Sequence, residues 1–156
     1  MDLWSALPVV ILGATPFFEA RYAIPLAILN GFAPHEAFWF GVAGNLLPIV
    51  PLLLFLEPVS GYLSAQSLIF EQFFTWLFAR TRNHSERFER WGTLALFFFV
   101  AVPFPATGAW SGCVAAFVFG IRFRHALPAI AAGTVAAALV TTLPTLGLTI
   151  LVGGVV

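Results

Sequence analysis

Apolar runs interrupted by prolines constrain this chain more than any other feature of its sequence. Hydrophobic residues make up 60% of the 156 positions and charged residues only 9%, whereas an average soluble domain has about a quarter charged residues. Because such a chain cannot present a polar surface to water, we predict an all-α integral membrane protein. One bilayer crossing takes about 20 apolar residues, so residues 1–156 have room for a single membrane domain.

The N-terminal apolar region predicts a helical hairpin followed by a crossing. Residues 3–32 are mostly apolar, but Pro16 interrupts them and the charges of Glu19 and Arg21 follow. Neither arm is long enough to span the bilayer, so we predict a re-entrant hairpin whose irregular tip is buried in protein. Residues 37–56 form an uncharged run that predicts the first full crossing.

The C-terminal region repeats this order after a polar linker. Residues 57–91 alternate apolar and charged side chains at helical spacing, which predicts an amphipathic helix on the membrane surface. Residues 94–121 are uncharged, but two prolines and a glycine at positions 103–108 would break a straight helix there. We therefore predict a second re-entrant hairpin, and residues 126–150 predict the second crossing.

The positions of the arginines orient these segments. Four of the seven arginines lie within residues 80–90, and two more are Arg122 and Arg124. By the positive-inside rule both regions face the cytoplasm, so we expect a protein of the cell membrane with its linker inside. The first hairpin then opens outward and the second inward. Residues 1–56 and 94–156 are thus predicted to be inverted repeats, an architecture of many secondary transporters.

A weak internal match agrees with two repeats. Residues 31–45 align with residues 120–134, and the aligned identities are Gly31/Gly120, Ala37/Ala126, Ala43/Ala132 and Gly44/Gly133. In a chain this rich in alanine and glycine, four identities also arise by chance. The match therefore supports the repeat without establishing it.

Glu19 and Arg21 are the first candidate site residues, since they are charges inside an otherwise apolar region. One interpretation gives Arg21 an anionic substrate group, because its planar fork of donors matches phosphate or carboxylate, and gives Glu19 a proton-coupling role. The alternative is a structural ion pair that holds the hairpin closed. A regular helix would point two residues at this spacing to different faces, so a direct pair requires an irregular tip.

The second hairpin tip offers further candidates for substrate binding. Freed backbone groups at a helix start, together with hydroxyl and indole donors, can hold an anionic or polar headgroup. Gly108 and Gly112 also fit a small-xxx-small packing motif, which is the structural alternative. Asn45 is a lone amide that either lines the same cavity or bonds a neighbouring helix. The substrate-binding candidates are Arg21, Asn45, Thr107, Gly108, Trp110 and Ser111.

Several functional classes find no support in the sequence. His35-Glu36 lacks the second histidine of a zinc protease helix, and Ser111 lacks the glycine two positions before it and the embedded histidine base of a serine hydrolase. We therefore expect no enzymatic activity, no cofactor and no metal site. A formal net charge of zero gives no attraction to nucleic acid. Cys113 is the single cysteine, and the N-terminus lacks the basic region of a cleaved signal peptide.

Three segments carry a resemblance to a known family. They are residues 18–25 (Phe-Glu-Ala-Arg-Tyr-Ala-Ile-Pro), Gly44-Asn45 with Pro48, and residues 103–112 (Pro-Phe-Pro-Ala-Thr-Gly-Ala-Trp-Ser-Gly). With them, most of the chain resembles the family named putative small multidrug export proteins and, more distantly, DedA-like, SNARE-associated membrane proteins. The resemblance implies a small transporter. The DedA-like relatives imply lipid-carrier phosphates or other amphipathic anions as cargo, often with proton coupling.

These observations favour a small transporter that moves an anionic or amphipathic molecule through a midplane site at the two hairpin tips. A flippase for a phosphate-bearing lipid carrier is the alternative within transport, and a non-catalytic membrane scaffold is the alternative outside it. Membrane lipid and the anionic substrate are the expected partners. We also expect a homodimer, because two crossings shield hairpin tips poorly from lipid.

Overall fold

The computed structural model describes residues 3–16, 18–66, 68–81, 86–104 and 107–153. The described residues form helices joined by short turns and contain no strand, which confirms the all-helical prediction. In chain order the helices are α1 (Leu3–Ala14), α2 (Glu19–Leu29), α3 (Pro34–Leu46), α4 (Ile49–Gln66), α5 (Leu68–Thr81), α6 (Glu86–Ala101), α7 (Ala109–Val118) and α8 (Phe123–Gly153).

Within the described residues, two helical segments are long and apolar enough to cross a membrane. They are Pro34–Leu56, with 23 residues, and Phe123–Leu148, with 26 residues. At a rise of ~1.5 Å per residue, each exceeds the thickness of a ~30 Å bilayer core. Both coincide with the predicted crossings. The first consists of α3 and the start of α4, with a turn at residues 47–48 between them, where Pro48 lacks the N–H of a regular helix.

The predicted linker is divided among three helices. α4 continues to Gln66, and α6 begins at Glu86 instead of residue 94, because the intervening glutamate, glutamine, leucine and arginine residues are good helix formers. The predicted ends of the linker therefore lie inside continuous helices, and α5 packs beside α4 as the separate amphipathic helix. Residues 82–85 and the side chains of the arginine cluster at 80–90 lie outside the described residues. The surface position of the linker stays a prediction.

Each predicted hairpin is a pair of short helices joined by a break. α1 and α2 meet at residues 15–18, and α6 and α7 meet at residues 102–108, of which 105–106 lie outside the described residues. The breaks fall where the prolines predicted them. The direction in which each hairpin enters a membrane stays a prediction.

A glycine with left-handed backbone ends α2 and α7 in the same way. Gly31 has φ +88° and Gly120 has φ +65°, a region open to glycine without steric penalty. In each turn the glycine N–H bonds to the carbonyl three residues earlier, and the next N–H bonds to the carbonyl five residues earlier. This is the Schellman pattern. The two glycines stand 89 positions apart, the offset of the weak internal match.

The two parts of the chain exchange residues between their cores. One buried cluster collects residues from α6 to α8 together with Ile49 of α4, and the other collects residues from α1 to α3 together with Ala138 of α8. Ile49 and Ala138 also stand 89 positions apart. Both clusters are rich in alanine, which lets helices approach closely. The two crossing segments thereby hold both hairpins around one central region.

The two crossing segments expose large apolar side chains. Large side chains on both crossing segments are exposed, among them Trp39 (65%), Leu47 (65%) and Leu143 (68%). Contiguous exposed apolar surface of this kind is a liability in water, whereas lipid solvates it directly. The distribution of exposed residues therefore agrees with the two apolar crossings.

Candidate functional site at the hairpin tips

The first hairpin tip turns sharply at Glu19. This residue has φ +52°, a left-handed conformation that side chains other than asparagine and aspartate seldom adopt. The turn places Arg21 Nη2 3.7 Å from Glu19 Oε2, and both side chains are close to nine-tenths buried. The sequence required an irregular tip for a direct pair, and this backbone provides it.

Arg21 reaches across to the second hairpin. Its Nη1 donates a hydrogen bond to the carbonyl oxygen of Phe104, and its Nη2 donates to the carbonyl oxygen of Thr107. Both acceptors lie in the break before α7, where no helix partner is available to them. The guanidinium fork therefore bonds two backbone carbonyl groups at once and fastens one hairpin tip to the other.

Glu19 fastens the same two tips through the start of α7. The backbone N–H groups of Ala109 and Trp110 donate to the Glu19 carboxylate. These are unpaired donors of a helix N-terminus, where a negative charge is also favoured by the helix dipole. The N-cap residue Gly108 has no side chain to bind them, so Glu19 caps α7 from the other hairpin.

Gly108 makes this cap possible. A Cβ atom at this position would lie 1.8 Å from Glu19 Oε2, so any larger residue would displace the carboxylate. Ser111 completes the cap from within α7, since its Oγ accepts the Gly108 N–H at 2.8 Å. The N-terminus of α7 is thus bonded partly by its own serine and partly by Glu19.

Trp110 adds a contact in the opposite direction. Its indole Nε1 donates to the carbonyl oxygen of Ala14 at 3.1 Å, at the end of α1. Trp110 stands 89 positions after Arg21, so corresponding positions of the two hairpins each donate to backbone carbonyls at the tip of the other. We call the region formed by Glu19, Arg21, Gly108 and Trp110 the tip junction.

A small polar cavity lies beside the tip junction. Its volume of about 10 Å³ suits one water-sized particle, and its polar lining comes from Glu19, Arg21, Asn45 and Thr134. Asn45 is 4% exposed and Thr134 1% exposed. Within the described residues, neither Asn45 Oδ1 nor Thr134 Oγ1 has a hydrogen-bond partner. Unpartnered buried oxygens are uncommon and each needs an explanation.

The structure brings most of the predicted site residues together, but in two different settings. Glu19, Arg21, Asn45 and Gly108 line the cavity. The remaining candidates, Thr107, Trp110 and Ser111, bond protein groups around it: the Thr107 hydroxyl lies 2.8 Å from Val102 O and 2.9 Å from Phe104 O. These hydroxyl and indole groups hold the second tip in shape.

Sequence reasoning missed Thr134. The signal was present, because the internal match aligns Gly44-Asn45 with Gly133-Thr134. Each crossing segment has a polar residue at the same repeat position, which indicates that both segments face one central space.

The fold and the site together define a class of protein. Two long apolar helices, an apolar exterior and buried charges where two broken helices meet are features of integral membrane proteins. The sequence profile of the family described as "Putative small multi-drug export protein" matches residues 19–140, a range that contains the whole tip junction. The chain belongs to this family. No curated protein and no solved structure matches it.

Proposed function

We propose that this membrane protein exports an anionic or amphipathic small molecule through the tip junction. The observation that carries the proposal is the convergence of the Arg21 guanidinium and the α7 N-terminus on one anionic group, the Glu19 carboxylate. An arginine fork beside free helix amides is an anion-binding arrangement. The description of the family as export proteins supports export as the direction of transport.

Alternating access is the mechanism that we propose for this export. The shared 89-residue offset of the closing glycines and of the exchanged core residues supports two repeats, which we propose to be inverted in the membrane, with re-entrant hairpins. Rocking of one repeat against the other would part the tips. Glu19 is the proposed proton-coupling residue, because its carboxylate is the acidic group of the tip junction. A homodimer would cover the tips from lipid.

A lipid-linked cargo is the second candidate. An apolar cavity of about 470 Å³ lies between α6 and α7, with aromatic walls that include Trp91, Phe99 and Phe119. Its volume is within the usual range of ligand pockets, and it can hold an acyl or prenyl chain. A phosphate-bearing lipid carrier would then place its apolar part in this cavity and its phosphate at the tip junction. This arrangement favours flippase activity over export of a soluble anion.

Mass spectrometry of co-purified small molecules and lipids tests the proposal. Arg21→Lys keeps the positive charge and removes the fork, so we expect a folded protein that loses a bound anion present on the wild type. Arg124→Lys, on the exposed start of α8, is the matched control and should retain the anion. Identical profiles from three monodisperse proteins would favour a scaffold, in which Arg21 only fastens the two tips.

A further inference from the structure

We infer that the Glu19 carboxylate is an internal competitor of the anionic cargo, and that protonation of Glu19 opens the anion site. This inference rests on the proposed function and specifies its regulation. In the structure the carboxylate occupies the position between Arg21 and the α7 amides. A second anion cannot enter while the first remains, because the cavity suits only one water-sized particle and like charges repel at close range.

The space between Arg21 and the α7 amides suits a negative group that comes from outside α7, because α7 places no side chain of its own there. Gly108 carries no Cβ, and the space that a Cβ would fill holds Glu19 Oε2. The Ala109 and Trp110 amides point to this space from a helix of ten residues. An oxyanion of a cargo molecule could therefore accept the same hydrogen bonds once Glu19 has left.

Asn45 and Thr134 offer hydrogen-bond acceptors at a second position for the Glu19 side chain. Both line the same cavity, both are more than nine-tenths buried, and their unpartnered oxygens can accept a hydrogen bond. The ionised carboxylate has no proton to donate to them, whereas the carboxylic acid does. When a hydronium ion transfers its proton to Glu19, one O–H bond forms, water leaves, and the neutral acid can donate to Asn45 Oδ1 or Thr134 Oγ1. The α7 amides are then free for the cargo, while Arg21 keeps its bonds to the carbonyls of Phe104 and Thr107 and attracts the cargo by its charge.

The charged and titratable groups that face Glu19 are few. In the described residues they are the Arg21 guanidinium and the buried Cys113 thiol of α7, while the polar side chains that α3 and α8 contribute to the cavity lining, Asn45 and Thr134, are neutral. Arginine stays protonated throughout the usual pH range. With Cys113 replaced by alanine in every protein tested, a pH response at this site reports on Glu19.

The experiment measures binding of benzenesulfonate, whose charge does not change between pH 5 and pH 8, by calorimetry on the purified full chain in mild detergent. In the Cys113→Ala background we expect affinity to rise as the pH falls, by up to about tenfold per pH unit, the limit for one coupled proton. Glu19→Gln, a neutral mimic of the acid, should bind at every pH at least as tightly as the parent binds at pH 5. The matched control is Glu36→Gln in the first turn of α3, which should retain the pH response.

The outcomes separate the inference from the proposed function. If Arg21→Lys abolishes binding but Glu19→Gln keeps the pH response of its parent, the anion site stands and the competition is wrong. If no protein binds the sulfonate in an Arg21-dependent way at any pH, both are wrong. Thr134→Val provides a further check, because removing an acceptor for the neutral acid should move the response to lower pH. An unchanged midpoint in this variant contradicts the second position of Glu19.

Discussion

Gly108 lies against Glu19 so closely that a Cβ at position 108 would stand 1.8 Å from Glu19 Oε2. The two residues belong to different hairpins, and the missing side chain of one leaves room for the carboxylate of the other. Helix α7 is therefore capped by a residue 89 positions before its own N-cap. The stability of the second tip depends on the first.

Replacing this glycine tests that dependence. Gly108→Ala should lower the free energy of unfolding by about 1–3 kcal/mol, because Glu19 must leave the α7 amides. Thermal unfolding followed by tryptophan fluorescence in mild detergent measures the loss. Gly92→Ala is the control, since its Cβ would meet the nearest atom at an ordinary 3.6 Å. In a Glu19→Ala background the Gly108→Ala loss should shrink, and full additivity of the two changes would argue against the contact.

The unpartnered hydroxyl of Thr134 predicts that the effect of Thr134→Val on stability changes sign with pH. At pH 8, Thr134→Val should leave stability unchanged or raise it by up to about 1 kcal/mol, because valine fills the space without an unsatisfied oxygen. At pH 5 the same change should destabilise the protein, since the neutral Glu19 acid loses an acceptor. Thr142→Val is the comparison: Thr142 is also buried, and its hydroxyl already donates to Ala138 O at 2.6 Å. A large loss for Thr134→Val at pH 8 would show that its hydroxyl has a partner in the ionised state.

Two glycines at corresponding positions are predicted to be indispensable for helix packing. A Cβ at Gly44 would lie 2.3 Å from Val10 O, and one at Gly133 would lie 2.9 Å from Phe97 O. Since these acceptors belong to the backbone of α1 and α6, alanine can fit only if a helix moves. Each substitution should cost about 1–3 kcal/mol in unfolding measurements. Gly147→Ala, with no atom within 4 Å, should instead be neutral or stabilising.

Cysteine labelling tests the inverted arrangement of the two hairpins. Asn30 and Phe119 are exposed residues just beyond α2 and α7, and they stand 89 positions apart. In a Cys113→Ala background, a membrane-impermeant maleimide should label Asn30→Cys in intact cells and Phe119→Cys only in inverted vesicles. Trp39→Cys, on the exposed apolar face of α3, should react poorly in both. Labelling of both turns from the same side would show that the repeats are not inverted.

Much of the fold was predictable because lipid restricts the possibilities. The two crossings followed from uncharged length, and both helix breaks followed from proline, whose missing N–H and ring clash act locally. The ends of the linker were not predictable in the same way. Helix-forming glutamate and arginine carry α4 and α6 across the change in polarity, so polarity marks where the chain meets water and not where a helix ends.

The candidate site was predictable in its charges but not in its geometry. Glu19, Arg21 and Asn45 are conspicuous as polar residues in apolar surroundings. Their partners are largely backbone atoms: the carbonyls of Phe104 and Thr107 and the amides at the start of α7. Every residue carries such groups, so composition cannot show which are used. The left-handed conformation of Glu19 was likewise hidden, because it results from packing between two distant segments.

The reliance of the tip junction on backbone partners has a consequence for mutational tolerance. Arg21 bonds the carbonyl oxygen of Phe104, and Trp110 bonds the carbonyl oxygen of Ala14. A mutation that changes either acceptor residue leaves its carbonyl in place, provided that the turn keeps its path. Substitutions at these acceptor positions should therefore leave the contacts that close the two hairpins intact.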